Sequence, residues 1–237
     1  MNPKSKTKIK KAASLLIMIA VIPAMIAAGT IVFYDRRYML VSTAVAAASC
    51  VLFFISFEGR EHSVRRTVLL AAMTALSVAG RSLFAPIPFF KPVTAVVVIC
   101  GMNLGCESGF LCGALSAFFS NFIFTQGPWT PFQMFIWGMI GFIAGVLSKP
   151  LEKSRLMLAV YGIAAGVVYS AFMDIWTTVW WDGSFLLSRY VAAISAALPV
   201  TMVYAISNVV FLMTLSKPIG EKLARIQKKY GLLQKET

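Results

Sequence analysis

The sequence predicts an all-α membrane protein with about eight spans, and two observations carry this prediction. Apolar residues make up 59% of the 237 residues and charged residues only 13%, whereas soluble domains average roughly 45 to 50% apolar and roughly 25% charged. Apolar runs near the roughly 20 residues that a helix needs to cross a bilayer recur along the chain. Because a spanning segment must satisfy its own backbone hydrogen bonds, helices are expected for these runs.

The charge distribution predicts the orientation of the spans. The chain holds 22 Lys and Arg against 9 Asp and Glu, a net charge of +13. If the N-terminus lies inside, 17 of these cations fall on the inner side and four on the outer side, while Arg81 lies within a span. Such a bias is typical of cytoplasmic loops. It predicts that both termini are cytoplasmic, and it requires no nucleic-acid partner.

The first predicted unit, residues 1–57, is a lysine-rich start followed by a two-helix transmembrane hairpin. Its apolar runs cover 12–34 and 38–57. The first run superficially resembles a secretory signal peptide, but it is longer than the roughly 7 to 15 residues of a signal core. The hydrophilic stretch 58–66, which contains the single histidine, His62, is predicted to be a cytoplasmic linker.

A six-helix core is predicted at residues 67–216, with prolines and glycines at its turns. The expected spans are 67–84, 92–105, 107–124, 131–148, 156–180 and 189–215. Pro86 and Pro88 break the chain after the first of these, and Pro131 suits the first turn of a helix.

The last 21 residues, 217–237, form a predicted basic amphipathic cytoplasmic tail. Ile219, Leu223 and Ile226 share one helical face, with basic residues around it. Such a face is expected on the anionic inner leaflet, with docking to a partner as the alternative.

Polar side chains on several spans are predicted to meet near the outer surface. Arg81, for example, lies 14 residues beyond the inner end of its span, a rise of roughly 21 Å. A polar group in hydrocarbon is costly and is retained when it is paired or functional. Asp174 is the expected countercharge of Arg81, so the two readings are a structural ion pair and a ligand site. The residues expected to contact a ligand are Arg81, Asn121, Gln126, Trp129, Gln133 and Asp174.

Small residues recur at four-residue spacing on the first core span, at Ala71, Ala75 and Ala79. Such a stripe lets another helix backbone approach closely. The partner is either a helix of another protein or a neighbouring helix of the same chain.

The sequence contains none of the motifs that would indicate an enzyme. It lacks a Gly-x-x-x-x-Gly-Lys-Ser/Thr phosphate loop, a metal-binding histidine cluster and a Ser/His/Asp set. We therefore expect no catalytic residue, no metal and no cofactor. The four cysteines, at positions 50, 100, 106 and 112, are expected to be small buried apolar residues.

Five stretches carry a family resemblance. They are Ala79-Gly80-Arg81, the run from Phe90 to Ala95, Gly109-Phe110, the run from Gly113 to Phe118, and above all the run from Ser120 to Met134, which contains Gln-Gly-Pro-Trp-Thr-Pro. They resemble the substrate-binding S components of energy-coupling factor (ECF) vitamin transporters, most closely the predicted cobalamin-type subgroup. The resemblance covers about residues 67–230. It implies a six-helix subunit in the bacterial plasma membrane, which captures a vitamin near the outer face.

In such ABC importers, a transmembrane T component and two cytoplasmic ATPases supply the energy. The resemblance therefore implies that the Ala71, Ala75 and Ala79 stripe contacts the T component and that the outer polar cluster binds the vitamin, with cobalamin expected. The loop 85–91 would be a lid. The hairpin at 12–57 has no counterpart in the six-helix core. The alternatives are a secondary transporter or channel that works alone, and a purely structural subunit.

Overall fold

The computed structural model describes residues 15–33, 44, 48, 63–182 and 185–230. Apart from Ala44 and Ala48, the predicted span at 38–57 lies outside the described residues, as do the linker residues 58–62, including His62, and the terminal residues 231–237.

The described residues form helices joined by short connections, with no strand among them. A π-helical turn, Ile17–Val21, runs directly into the first α-helix. The α-helices in chain order are α1 (Ile22–Phe33), α2 (Ser63–Leu83), α3 (Val93–Leu104), α4 (Cys106–Phe124), α5 (Thr130–Val146), α6 (Ser148–Lys153), α7 (Arg155–Asp182) and α8 (Leu187–Lys229).

Each of the six predicted core spans corresponds to one helix, but the helices differ in length. Within the part of the chain that the structure describes, three helical stretches are long and apolar enough to cross a membrane: Cys106–Phe124, Arg155–Trp181 and Leu187–Lys229. The span expected at 92–105 is the 12-residue α3, about 18 Å long. It is therefore too short to cross a hydrocarbon core of about 30 Å alone.

Gly105 and Pro131 explain two of the tight connections. Gly105 alone joins α3 to α4, and its φ of 95° lies in the left-handed region that favours glycine. Pro131 lies in the first turn of α5, as predicted, where a backbone amide has no helical partner to lose.

Helices α3, α4 and α5 pack with their backbones in contact. A Cβ atom placed on Gly109 would lie 2.3 Å from the carbonyl oxygen of Gly141 and 2.7 Å from the Cα of Gly101. Three glycines on three helices thus meet at one point, and small residues there permit the close approach. This contact fixes the rotation of each helix about its axis.

Helix α8 continues without a break through Ser216 and Lys217. Its 43 residues span about 65 Å, so it extends well beyond a bilayer core. Leu223 is buried, Ile219 and Ile226 pack against the core, and Gln227 donates a 2.8 Å hydrogen bond to the carbonyl of Asn103. The apolar face of Ile219, Leu223 and Ile226, which was predicted to rest on the inner leaflet, therefore packs against the other helices.

The start of α2 and the end of α3 lie together at one end of the bundle. Arg66, near the start of α2, donates to the carbonyl of Leu104 at the end of α3. This is the end that the Lys and Arg distribution predicts to be cytoplasmic. Arg81 and the connections 84–92 and 125–129 lie at the opposite end.

Candidate ligand-binding site

A cavity of about 360 Å³ lies at the end of the bundle that is predicted to face outward, between α2, the connection 84–92, α3, α4, α5, α7 and α8. Its polar lining residues are Arg81, Lys91, Thr94, Gln133, Tyr169, Tyr204 and Asn208, and its large apolar or aromatic ones include Phe89, Phe124 and Trp137. Convergent polar groups on an apolar wall are the usual composition of a small-molecule site.

Arg81 is held by neutral groups of α4. Its Nη1 donates to the hydroxyl of Ser120 and, over 2.8 Å, to Oδ1 of Asn121. Its guanidinium carbon also lies 4.7 Å from the ring centroid of Phe124 and 5.4 Å from that of Trp137. These contacts hold the charged group against aromatic faces at the cavity wall.

Asn121 is fully buried and links the helices around the cavity. Its Nδ2 donates to Oγ1 of Thr130 over 2.8 Å and to Oε1 of Gln133 over 2.9 Å. Gln133 in turn donates to the hydroxyl of Tyr169 over 3.3 Å. The chain of hydrogen bonds therefore runs from α2 through α4 and α5 to α7, and it uses both amide hydrogens of Asn121.

Stacked and edge-on aromatic rings form a large part of the cavity wall. Trp137 stacks on Tyr169, with ring centroids 5.2 Å apart and an interplanar angle of 14°. Tyr204 meets Tyr169 edge-on at 5.2 Å, and Phe89 meets Tyr204 in the same way at 5.9 Å. Rings in these geometries support one another and present an extended apolar surface to the cavity.

The connection between α2 and α3 covers the cavity and is organised around Lys91. The Lys91 ammonium donates to the carbonyl of Phe84, and also to those of Ala85 over 3.0 Å and Ile87 over 2.7 Å. Ser207 of α8 donates to the Lys91 carbonyl over 3.0 Å. Desolvation and, second, the charge of Arg81 lower the pKa of Lys91.

The family model described as "ECF-type riboflavin transporter, S component" matches residues 61–225. The chain belongs to this family. It is therefore a membrane transport subunit for a vitamin and not an enzyme. The predicted S-component resemblance is confirmed at this level, while the cobalamin-type subgroup is not part of the match. The matched segment excludes the predicted hairpin. No curated protein and no solved structure matches the chain.

Two of the six residues predicted to contact the ligand of this S component line the cavity: Arg81 and Gln133. Asn121 lies directly behind them. Gln126 and Trp129 do not line it, because Gln126 donates to the carbonyl of Phe118 over 2.8 Å. Trp129 instead packs its ring edge-on against Trp176 at 5.7 Å.

Asp174 does not line the cavity, and the predicted ion pair with Arg81 is not formed between these two described residues. Arg81 instead bonds to neutral Ser120 and Asn121. Asp174 lies five residues beyond Tyr169 on α7, which places it about 7.5 Å farther along the helix and about 140° around it.

Five cavity-lining residues were not predicted from the sequence to contact the ligand, although Lys91 falls in the predicted lid: Lys91, Trp137, Tyr169, Tyr204 and Asn208. Asn208 was detectable, since it is a polar side chain within a predicted span. The tyrosines were not, because a tyrosine in a span gives no indication of which face it occupies.

The S component also has an apolar groove of about 540 Å³ between α2 and α4. Ala71, Ala75 and Ala79 line one side and are exposed. Leu115 and Phe119 of α4 are among the residues on the other side. Among the described residues, no side chain covers the alanine stripe predicted from the sequence. The alternative prediction, that a neighbouring helix of the same chain packs on the stripe, is therefore not what the described residues show.

Proposed function

We propose that this S component captures a riboflavin-type vitamin in the outer cavity and delivers it for ATP-driven import. The observation that carries the proposal is the combination, in one cavity, of the Trp137 and Tyr169 rings with the network from Arg81 to Gln133. The rings suit a planar heterocycle, and the network offers donors to its carbonyl and ring-nitrogen acceptors.

Cavity size supports riboflavin over the predicted cobalamin. The volume of about 360 Å³ is near the lower limit of the roughly 300 to 1,000 Å³ found for small-molecule sites. Riboflavin is a tricyclic ring with one sugar-alcohol chain, whereas cobalamin is a corrin with a nucleotide loop and is several times larger. Cobalamin remains the competing ligand in the test below.

The six residues of the predicted site have different roles in this proposal. Arg81 and Gln133 contact the vitamin, and Asn121 positions both of them. Gln126, Trp129 and Asp174 lie at the outer ends of α4, α5 and α7, where they support the rim or contact a ligand during entry. The connection 84–92 acts as the lid.

The apolar groove between α2 and α4 is the proposed surface for the T component. Its Ala71, Ala75 and Ala79 edge allows close approach of a helix backbone. The two ATPases of the importer would then act through the T component, since this chain has no phosphate-binding loop of its own.

A thermal-shift panel on the detergent-solubilised protein tests the ligand. A compound that binds only the folded state raises the apparent stability with its concentration. We expect riboflavin to raise the melting temperature and cobalamin to leave it unchanged. A shift with cobalamin but not riboflavin would restore the cobalamin prediction, and no shift with any vitamin would refute vitamin capture.

Uptake into proteoliposomes tests the coupling. We expect vitamin accumulation only when the T component, both ATPases and ATP are present. Uptake by this chain alone that collapses with the proton gradient would instead identify a secondary transporter.

A further inference from the structure

The charged groups that line the outer cavity are all cations. Arg81 and Lys91 are on its wall, and none of the described lining residues is acidic. Asp174, on α7, does not line the cavity and forms no ion pair with Arg81. The cavity is therefore an outer pocket with two positive charges and no countercharge on its described wall.

Arg81 has hydrogen-bonding capacity left for a ligand. A guanidinium carries five N–H donors, and Nη1 uses two of them on Ser120 and Asn121. Among the described residues, its Nε and Nη2 donors have no hydrogen-bond partner. The neutral acceptors and the ring of Phe124 offset part of the cost of burying this cation, but they contribute no opposite charge.

Lys91 adds charge without offering a free donor. Its three N–H bonds go to the carbonyls of Phe84, Ala85 and Ile87. The ammonium thus holds the lid connection in place and raises the positive potential of the cavity. Repulsion from the Arg81 charge contributes to the lowered pKa of Lys91, as expected for two cations that share one pocket.

From these observations we infer that this cavity favours a vitamin that carries an anionic group, a phosphate or a carboxylate, over its uncharged counterpart, and that the anion pairs with the free guanidinium edge of Arg81. The inference rests on the proposed function and specifies its substrate class. An anion there neutralises one of the two cations and accepts charge-assisted hydrogen bonds in the planar geometry that arginine favours. The aromatic wall of Trp137 and Tyr169 holds the uncharged part of the same molecule.

Matched ligand pairs that differ in one charge test this inference. Riboflavin and riboflavin 5′-phosphate form the phosphate arm, while pantothenol and pantothenate, with nicotinamide and nicotinate, form the carboxylate arm. Binding to the purified full-length protein is measured by titration calorimetry. We expect the anionic member of at least one pair to bind at least about tenfold tighter than its neutral partner, the range expected for hydrogen bonds to a charged group.

Two sets of variants locate the effect. Arg81→Gln is expected to abolish the preference for the anion, whereas Arg81→Lys retains part of it. Because Arg81 also bonds across helices, a second pair uses Ala85, an exposed residue on the cavity wall. Ala85→Asp supplies the missing carboxylate and should reduce the preference at least about fivefold, while the isosteric Ala85→Asn leaves it unchanged.

The outcomes separate this inference from the proposed function. If the neutral members bind as tightly as the anionic ones, or if Ala85→Asp and Ala85→Asn behave alike, the anionic class is overturned while vitamin capture stands. If no member of any pair and no other vitamin binds, both fail.

Discussion

Nη1 of Arg81 on α2 and Oδ1 of Asn121 on α4 are joined by a hydrogen bond of 2.8 Å. This bond connects a cation on the cavity wall to a fully buried amide that holds Gln133 on α5. Asn121 thereby links the position of the Arg81 guanidinium to that of the neutral Gln133 amide. The positions of Arg81 and Gln133 are therefore set by the packing of α2, α4 and α5.

Asn121→Leu should reduce both stability and ligand affinity. It removes the acceptor of Arg81 and the donor to Gln133, leaving buried polar groups without partners. Each such loss costs about 1 to 3 kcal/mol. Thermal unfolding in detergent and vitamin titration measure the two effects. The control is Asn103→Leu at the other end of the bundle, whose amide donates to the carbonyl of Ile99. A ligand defect in this control as large as that of Asn121→Leu would contradict the assignment.

Tyr169→Phe should weaken ligand binding while leaving the fold intact. The ring stacked on Trp137 is kept, but the hydroxyl that accepts from Gln133 is lost. We expect a loss of affinity of roughly three- to tenfold, the net value of one hydrogen bond. Tyr161→Phe is the matched control, because its hydroxyl bonds to the carbonyl of Ile140 and it does not line the cavity. Equal affinities for the two variants would place the ligand elsewhere.

Ala75→Leu should block assembly with the T component without changing vitamin affinity. The added side chain fills the groove between α2 and α4 and keeps another helix from approaching its floor. Co-purification with the T component and ATPases measures assembly, and titration of the free subunit measures ligand binding. Ala72→Leu, at an exposed position outside the groove, is the control. If Ala75→Leu assembles normally, the groove between α2 and α4 is not the surface that binds the T component.

Gly109→Ala should destabilise the bundle. A methyl group there would lie 2.3 Å from the carbonyl oxygen of Gly141, so α4 and α5 must separate, at a cost of about 1 to 3 kcal/mol. Gly220→Ala is the control, since its new Cβ would lie 3.5 Å from Asn103, an ordinary contact. The melting temperatures of both variants are measured by thermal unfolding. Equal values would show that close packing of α4 and α5 at Gly109 does not contribute to stability.

The sequence predicted the core helices because each is an apolar run closed by proline, glycine or charged residues. It also placed Arg81 and Gln133 at the outer end, since depth along a helix follows from residue count. It did not place Asp174 correctly about α7, and it gave no prediction for Tyr169 on the same helix. That rotation is set by the backbone contacts of α3, α4 and α5 and the packing of α7 on them, which no periodicity in the sequence of α7 encodes.

Cysteine labelling at the cavity rim tests the central claim most directly, that a vitamin binds in the outer cavity. Ala85→Cys places a thiol on the exposed wall, and the unmodified protein supplies the background from its native cysteines. In right-side-out vesicles, we predict that a membrane-impermeant maleimide labels this thiol. Riboflavin should slow the labelling at the same concentrations that raise the melting temperature. Labelling only from the cytoplasmic side, or labelling that riboflavin leaves unchanged at saturating concentration, would contradict the claim.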